Sequence, residues 1–433
     1  MRLGVSLGAI HDSSERFPPP NCHPDTREAV RDIILDWIHN KSSESSFFWL
    51  YGSAGAGKTA ILQAIAEFLC STPESSTPES DGENFGGSFF FSRGKKGRDE
   101  GHFLFSTIAY QLALKIPGLR QHINHIMERN PTLHTKSMDV QLRNLVIDAF
   151  RQLSPLPQRP YLVIIDGLDE CHDTATQQLI LDLLCETITV HKLPLRILIG
   201  SRPESHIRDS FDQESLYRVT RRVILDEKFN PGRDIQVFFR DGFAKICANN
   251  SILSHVEHPW PGEGVVDLLV QRSSGQFIYA ATVLKFVGAM FCSPTKQLAL
   301  VLKADPMAFS DLDQLYTQIL SVYPSAVNIV RVLGIISVSR GELAEVMEDI
   351  FGMEEGELKI LLRGLSSLIK DEHSDEHFLY SRATSYVIPH FAHASFGDYL
   401  FDSSRSGPFH VNREEYKNQL TTRSFALILQ SIR

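Results

Sequence analysis

The period of apolar positions changes once along the chain. Up to about residue 225, short apolar runs alternate with stretches of helical spacing; from Phe229 onward only helical spacing remains. Ala29, Val30, Ile33, Ile34, Trp37 and Ile38 share one face and predict a helix starting near Asp25 or Thr26. A polar link, Lys41–Ser46, leads into an apolar run, Phe47–Tyr51, which reads as a strand. Ile61, Leu62, Ile65, Ala66, Phe68 and Leu69 then keep helical spacing. Further strands are predicted at Ser88–Ser92, Tyr161–Asp166, Leu195–Gly200 and Tyr217–Leu225. Helices are predicted at Phe103–Ile116, Val140–Leu153 and Gln177–Val190. Strand and helix in alternation define an α/β fold with a doubly wound, mainly parallel sheet.

Beyond Phe229, helical spacing recurs at Phe238–Ile246, Val265–Leu269, Phe277–Phe291 and Leu312–Leu320. Three more helices are predicted at Ala326–Val338, Gly341–Phe351 and Gly356–Ile369. A polar turn, Lys370–Glu376, then separates apolar pieces at Phe378–Tyr380 and Tyr386–Ile388. Three helices followed by a hairpin are the pattern of a winged helix. His373 and His377 fall in that turn between acids, where a solvated hairpin tip is expected and not a metal site. The expected organisation is a lead-in over 1–22, a nucleotide-fold domain over 23–226, a helical lid over 227–323, a winged-helix-like domain over 324–405 and a tail over 406–433. The tandem repeat STPESSTPES opens an expected disordered insertion at 71–84.

The chemistry starts where the first strand ends. Gly52-Ser53-Ala54-Gly55-Ala56-Gly57-Lys58-Thr59 fits G-x-x-x-x-G-K-[ST], with a strand before it and a helix after it. Glycines bring backbone N–H groups close to phosphate oxygens, and the helix that follows points its positive end at them. Lys58 reaches the terminal phosphates and the Thr59 hydroxyl ligates Mg²⁺; Ala60 completes the candidate nucleotide-binding set. Downstream, an apolar strand ends in Asp166-Gly167-Leu168-Asp169-Glu170. The carboxyl end of such a strand faces the ligand crevice of an open α/β sheet. Asp166 is therefore a candidate metal acid, and Asp169 and Glu170 are candidates to orient or deprotonate water. Arg202 follows the next strand and is a candidate contact for the γ-phosphate. The basic loop Arg93–Arg98, RGKKGR, reads as solvated.

Composition narrows this little. The 433 residues are 42% hydrophobic and 22% charged, ordinary values for a globular chain. A net charge of −9 argues against a general nucleic-acid binder. Six scattered cysteines without a C-x-x-C pair read as thiols in a reducing compartment. Met1–Ile10 has no signal-peptide pattern, and the longest apolar run, Phe277–Phe291, is too short for a bilayer. A cytoplasmic protein without a membrane partner is expected.

Taken together, Gly52–Thr59, Asp166–Glu170 and Ser201-Arg202-Pro203 resemble a NACHT-type STAND NTPase, in particular the fungal NOD-like receptor family with its nephrocystin-3-like N-terminal NTPase. Cys22-His23-Pro24-Asp25-Thr26-Arg27 is similar to the family's C-H-P-x-T-R entry. Leu312–Ser321 and Phe391-Ala392-His393-Ala394-Ser395-Phe396-Gly397-Asp398-Tyr399-Leu400 are similar to its later motifs. The resemblance implies a Walker A loop at 52–59, a Walker B acid at Asp166, a hydrolytic pair at Asp169 and Glu170, and a sensor arginine at Arg202. It also implies that His393 touches the β-phosphate of ADP and that His23–Arg27 lies along the adenine edge. ATP or ADP with Mg²⁺ is the implied cofactor. The implied activity is a slow ATPase acting as a switch, closed with ADP and open with ATP, self-associating when open and serving fungal innate immunity or non-self recognition. Its upstream ligand and downstream effector are not specified by any residue pattern. Two departures stand out. Phe277 occupies the place of a family proline that packs on adenine. Met1–Pro20 and Asn412–Arg433 are short beside the effector and repeat domains family members usually carry, so a minimal or truncated form is expected. Two rival readings remain: a small-molecule kinase or metabolic P-loop NTPase, and a winged-helix nucleic-acid regulator. Against the latter, Glu354, Glu355 and Glu357 offset Lys359, Arg363 and Lys370, leaving no basic face on the candidate recognition helix.

Overall fold

The computed structural model describes residues 4–40, 44–71, 85–116, 118–250, 253, 255–256, 259–289, 292–303, 311–322, 326–339, 344–354, 356–363, 365, 367–370 and 388–431. The expectations for 72–84, for His373 and His377, and for the hairpin strands at 378–380 and 386–387 lie outside the described residues. Residues 1–53 and 57–229 form one compact unit, and residues 54–56 with 230–433 form a second.

The first unit is built on five parallel strands: β1 (Phe47–Tyr51), β2 (Phe85–Phe90), β3 (Tyr161–Asp166), β4 (Leu195–Ser201) and β5 (Thr220–Ile224). Their order is β2-β3-β4-β1-β5, and every pairing is parallel. Alternate side chains of β1 face opposite layers. Phe48 meets Trp37 of α1 (Glu28–His39), with ring centroids 5.2 Å apart, while Trp49 stacks at 4.2 Å on Phe211 of α8 (Ser205–Asp212). Strands β1 and β3 are apolar along most of their length because helices cover both faces, whereas the edge strand β5 carries Thr220, Arg221 and Arg222. Arg196 of β4 spans one of these layers: its guanidinium donates to Ile38 O at 2.6 Å and Asn40 O at 2.5 Å, satisfying carbonyls at the open end of α1.

Several elements differ in extent from the sequence expectation. Helix α1 starts at Glu28, not at Asp25 or Thr26, because Asp25 and Arg27 both take positive φ (60° and 59°) and Thr26 N–H closes a turn on His23 O. Strand β2 starts three residues before the expected Ser88, since Gly86-Gly87 is part of the strand and not a break before it. Helix α2 (Lys58–Ser71) precedes β2, and α3 (Leu104–Lys115) follows it. A further helix, α4 (Leu119–Arg129), was not expected, because only Leu119 and Ile123 are fully buried among its many polar residues. The stretch expected as one helix at 140–153 is α5 (Met138–Leu142), a π turn over Arg143–Ile147, and α6 (Asp148–Arg151). Helix α7 (Thr174–Thr189) then precedes β4, and α9 (Glu214–Tyr217) precedes β5. The proline-rich stretch before α1 is not a loose lead-in. Two 3-10 turns, Leu7–Ala9 and Ser14–Arg16, bury Ala9, His11 and Arg16 in the unit.

The second unit is helical. It contains α10 (Pro231–Asn249), α11 (Glu263–Ser273), α12 (Phe277–Val287), α13 (Pro294–Leu302) and α14 (Asp311–Ser321). After these come α15 (Ala326–Val338), α16 (Ala344–Phe351) and α17 (Glu357–Arg363). An antiparallel pair follows, β6 (Ile369–Lys370) with β7 (His390–Phe391), then α18 (Ala394–Phe401), α19 (Ser403–Ser406) and α20 (Arg413–Ser431). Helix α12 uses only the first part of the apolar run at 277–291 and stops at Gly288. Among the described residues no single helix is long and apolar enough to cross a membrane.

Candidate functional site

Topology places the candidate groups at one end of the sheet. The glycine-rich loop leaves β1, Asp166 ends β3, and β4 runs between them to Ser201-Arg202. The chain leaves β1 toward β2 on one side and leaves β4 toward β5 on the other, so a switch point opens between β1 and β4. Trp49 Nε1 donates to Ser201 Oγ at 2.9 Å and ties those two strand ends together.

Within the loop, Gly55 and Gly57 take φ of 74° and 93°, the left-handed region that side chains other than glycine rarely enter. Helix α2 begins at Lys58, so its first N–H groups have no intrahelical carbonyl to reach. Lys58 Nζ donates to Gly52 O at 2.8 Å and Ser53 O at 2.9 Å, and burial holds its pKa below the usual lysine range. Thr59 hydrogen-bonds the Asp166 carboxyl, whose pKa burial pushes up. Gly200 is required beside it: a Cβ there would stand 2.5 Å from Asp166 Oδ1. A hydroxyl and a buried carboxylate are hard oxygen donors of the kind Mg²⁺ takes, and a glycine loop at a helix start suits phosphate. The residues present therefore fit both groups.

The acidic turn divides its two carboxylates. Gly167 leads into the 3-10 turn Leu168–Glu170. Asp169, 7% exposed, is held by Arg202: the Arg202 backbone N–H donates to Oδ1 at 2.9 Å, and Nε pairs with Oδ2 at 3.2 Å. Glu170 is half-buried, and its Oε2 accepts the Arg93 backbone N–H at 3.1 Å. Burial, then the neighbouring Asp169 charge, raise the Glu170 pKa to about 7.

Sequence reading missed three contributors. Arg93 belongs to the loop expected to be solvated, yet its Nη2 donates to Asp169 O at 3.3 Å, and Arg98 is buried with its guanidinium on Phe90 O. The available signal was position: the basic loop leaves β2, whose end lies beside that of β3. Arg16 carried no signal at all. Its guanidinium lies 3.7 Å from the centroid of the Phe90 ring and donates to Gln63 Oε1 at 2.8 Å, and Phe90 pairs with Asp166 across the ladder. Burial lowers its pKa to about 9.

In the second unit, two stretches far apart in sequence pack together. The Tyr316 ring lies 4.9 Å from that of Phe396 and 5.4 Å from that of Tyr399. Tyr316 OH meets Ser395 Oγ at 2.9 Å, and Thr317 Oγ1 meets Tyr399 OH at 2.7 Å. Arg405 grips Asp313 with two bonds, 2.9 and 2.7 Å. His393 precedes α18, where its Nδ1 accepts the Ser395 N–H at 3.1 Å as a helix cap. Phe277 lies 6.1 Å from Phe238.

With this geometry in place, comparison with known proteins is specific for one region. Residues 30–202 match the family model for the N-terminal region of nephrocystin 3. That span runs from α1 to Arg202 and holds the loop, the acidic turn and the arginine. It fits a NACHT- or STAND-like NTPase, and the parallel sheet with its loop is consistent with a P-loop NTPase. No curated protein matches the chain. Among solved structures, one titled "Structure of Drosophila ORC bound to DNA" aligns with 83% of this chain and 91% of that chain, at 11% identity and a TM-score of 0.31, too low to carry an argument.

Proposed function

We propose that the chain binds ATP and Mg²⁺ at Gly52–Ala60 and hydrolyses the nucleotide slowly. The observation that carries this reading is the convergence at one sheet end of Lys58, the Thr59–Asp166 pair, the Asp169–Arg202 pair and Glu170. Magnesium held by Thr59 and Asp166 would neutralise charge on the phosphate oxygens. Lys58 exchanges its loop carbonyls for phosphate oxygens. Glu170, titrating near neutrality, accepts the proton of the attacking water. Asp169 fixes the direction of Arg202, whose charge then faces the terminal phosphate.

The reading extends to a signalling switch in the cytoplasm, closed with ADP and open with ATP, which self-associates when open and serves fungal non-self recognition. It rests on the motif resemblance, with His393 as the residue that senses the diphosphate. Support for a winged helix comes from α15, α16, α17 and the β6–β7 pair. The activating ligand and the effector protein would be separate partners.

The test is nucleotide content after purification, together with size in ADP and in a non-hydrolysable ATP analogue. The expected result is bound adenine nucleotide in the wild type, a larger assembly with the analogue, and neither in Lys58→Ala. A wild-type protein without nucleotide, with Lys58→Ala indistinguishable from it in binding and size, would overturn the proposal.

A further inference from the structure

Away from the strand ends, the first unit holds a cavity of about 720 Å³. It opens among the 3-10 turns before α1, the end of α2, the start of β2 and the end of α3, and is a size that accommodates a small organic ligand. Its walls are largely apolar: Leu7, Phe17, Phe85, Tyr110 and Leu114 all contribute. Two reactive groups stand in it. His11 Nε2 lies 3.3 Å from Cys70 Sγ, and His11 Nδ1 lies 3.3 Å from Ser88 Oγ. In the tautomer whose Nδ1–H donates to Ser88 Oγ, Nε2 is the acceptor for the thiol proton. The His11 backbone is fixed as well: its N–H donates to Ser88 Oγ at 3.0 Å, and its carbonyl accepts Gln63 Nε2 at 3.0 Å. Cys70 is exposed, whereas Cys171 and Cys185 are buried and Cys22, Cys247 and Cys292 are half-buried.

We propose that Cys70 and His11 form a covalent capture site for small apolar electrophiles of the α,β-unsaturated carbonyl class. The thiol proton passes to His11 Nε2 as sulfur bonds to the β-carbon. The π pair of the C=C bond moves to the α-carbon, which takes the proton back from His11. Nothing leaves and no oxidant is needed, so the addition balances. Burial lowers the imidazole pKa against the opposing pulls of Asp12 and Glu67, with Arg16 and Lys115 reinforcing the shift, which keeps the ring in the uncharged form that can accept a proton. Burial raises the Cys70 pKa, with Lys115 opposing and Asp12 and Glu67 reinforcing, so the free thiolate is scarce and a base is needed.

The test treats the intact chain with N-benzylmaleimide and, separately, with iodoacetamide, then maps adducts on all six cysteines by mass spectrometry. Cys70 is expected to react first, with a preference for the benzyl reagent over iodoacetamide about tenfold greater than that of the other thiols. Its rate in the wild type should level off above the lowered His11 pKa. In His11→Asn the rate at pH 7 should fall about a hundredfold and then climb with pH toward thiol ionisation. The proposal fails if another cysteine reacts first, or if the wild-type rate at Cys70 climbs through pH 9 as a free thiol's does. Both of those arms use the unaltered protein and do not depend on the variant folding.

Discussion

Two clusters of functional-looking residues sit in this molecule, and they are held by different forces. At the strand ends of the first unit, the groups that matter are ionic and are positioned by backbone. Arg202 N–H aims Asp169, Arg93 N–H aims Glu170, and carbonyls of the loop hold Lys58. In the second unit, the residues of α14 and α18 are aromatic and hydroxylic, and they position one another: Tyr316 with Ser395, Phe396 and Tyr399, and Thr317 with Tyr399. The first arrangement leaves the Asp166 and Glu170 carboxyls with raised pKa values at one end of the sheet, the kind of displacement that marks a candidate functional site. The second satisfies its own polar groups internally and buries its rings, which is how a packed core behaves. Phe396 and Tyr399 thus pack as a core does, whereas the carboxyls at 166–170 stay electrostatically unfinished.

This contrast can be broken by substitution. The largest effect is expected from Asp169→Ala. It leaves the Arg202 guanidinium without its buried partner and should destabilise the first unit by about 3 kcal/mol in denaturant unfolding. Asp169→Asn should recover part of this, because the backbone bond to Arg202 survives. If both variants unfold like the wild type, the pair is not what holds the turn. A smaller loss, about 1 kcal/mol, is expected for Tyr316→Phe, which removes one buried hydrogen bond but keeps the ring stacking. That variant should retain nucleotide binding; loss of binding without loss of stability would make the second cluster a site after all. The smallest effect concerns Glu170→Gln, which keeps an acceptor for Arg93 N–H. The folded-state pKa of Glu170, about 7, lies above its ordinary 4.5. The native state therefore binds the extra proton between those values, so the Glu170 contribution to stability is full below pH 4.5 and is lost as pH rises through 7. Thermal melts of the variant should show a shallower fall across that window, and its hydrolysis should be lost at every pH.

Much of the sheet was readable from sequence, because β1 and β3 are continuous apolar runs and β4 is one but for Arg196, as strands covered on both faces tend to be. Boundaries failed where a local conformation overrode the pattern. Asp25 and Arg27 with positive φ delayed α1, and the strand expected from Ser88 starts at Phe85, so that Gly86-Gly87 lies within β2. Helix α4 was passed over although Leu119, Ile123, Ile126 and Met127 give it an apolar face, which its many polar residues obscure. Of the candidate site, Lys58, Thr59, Asp166, Asp169, Glu170 and Arg202 were readable because each sits at a fixed offset from a strand end. Arg16 and Arg93 were not, because their partners lie on other elements. Arg98 reaches the Phe90 carbonyl at the end of the strand before its loop, yet nothing in RGKKGR distinguishes the one buried arginine from the other charged residues.

The sequence by itself determined the α/β alternation, the glycine-rich loop, the acidic turn and the mainly helical character of the described residues after Phe229. Local spacing encodes these, through strand and helix periods and through glycines that permit the loop. Only the tertiary structure decided which carboxylate is tied down and which is left to titrate near neutrality. It alone brought Arg16 from the proline-rich stretch to the ring beside Asp166, and it alone set Cys70 against His11 at the wall of a cavity. Those properties depend on desolvation and on distances across the sheet, and neither is written in the spacing of one segment.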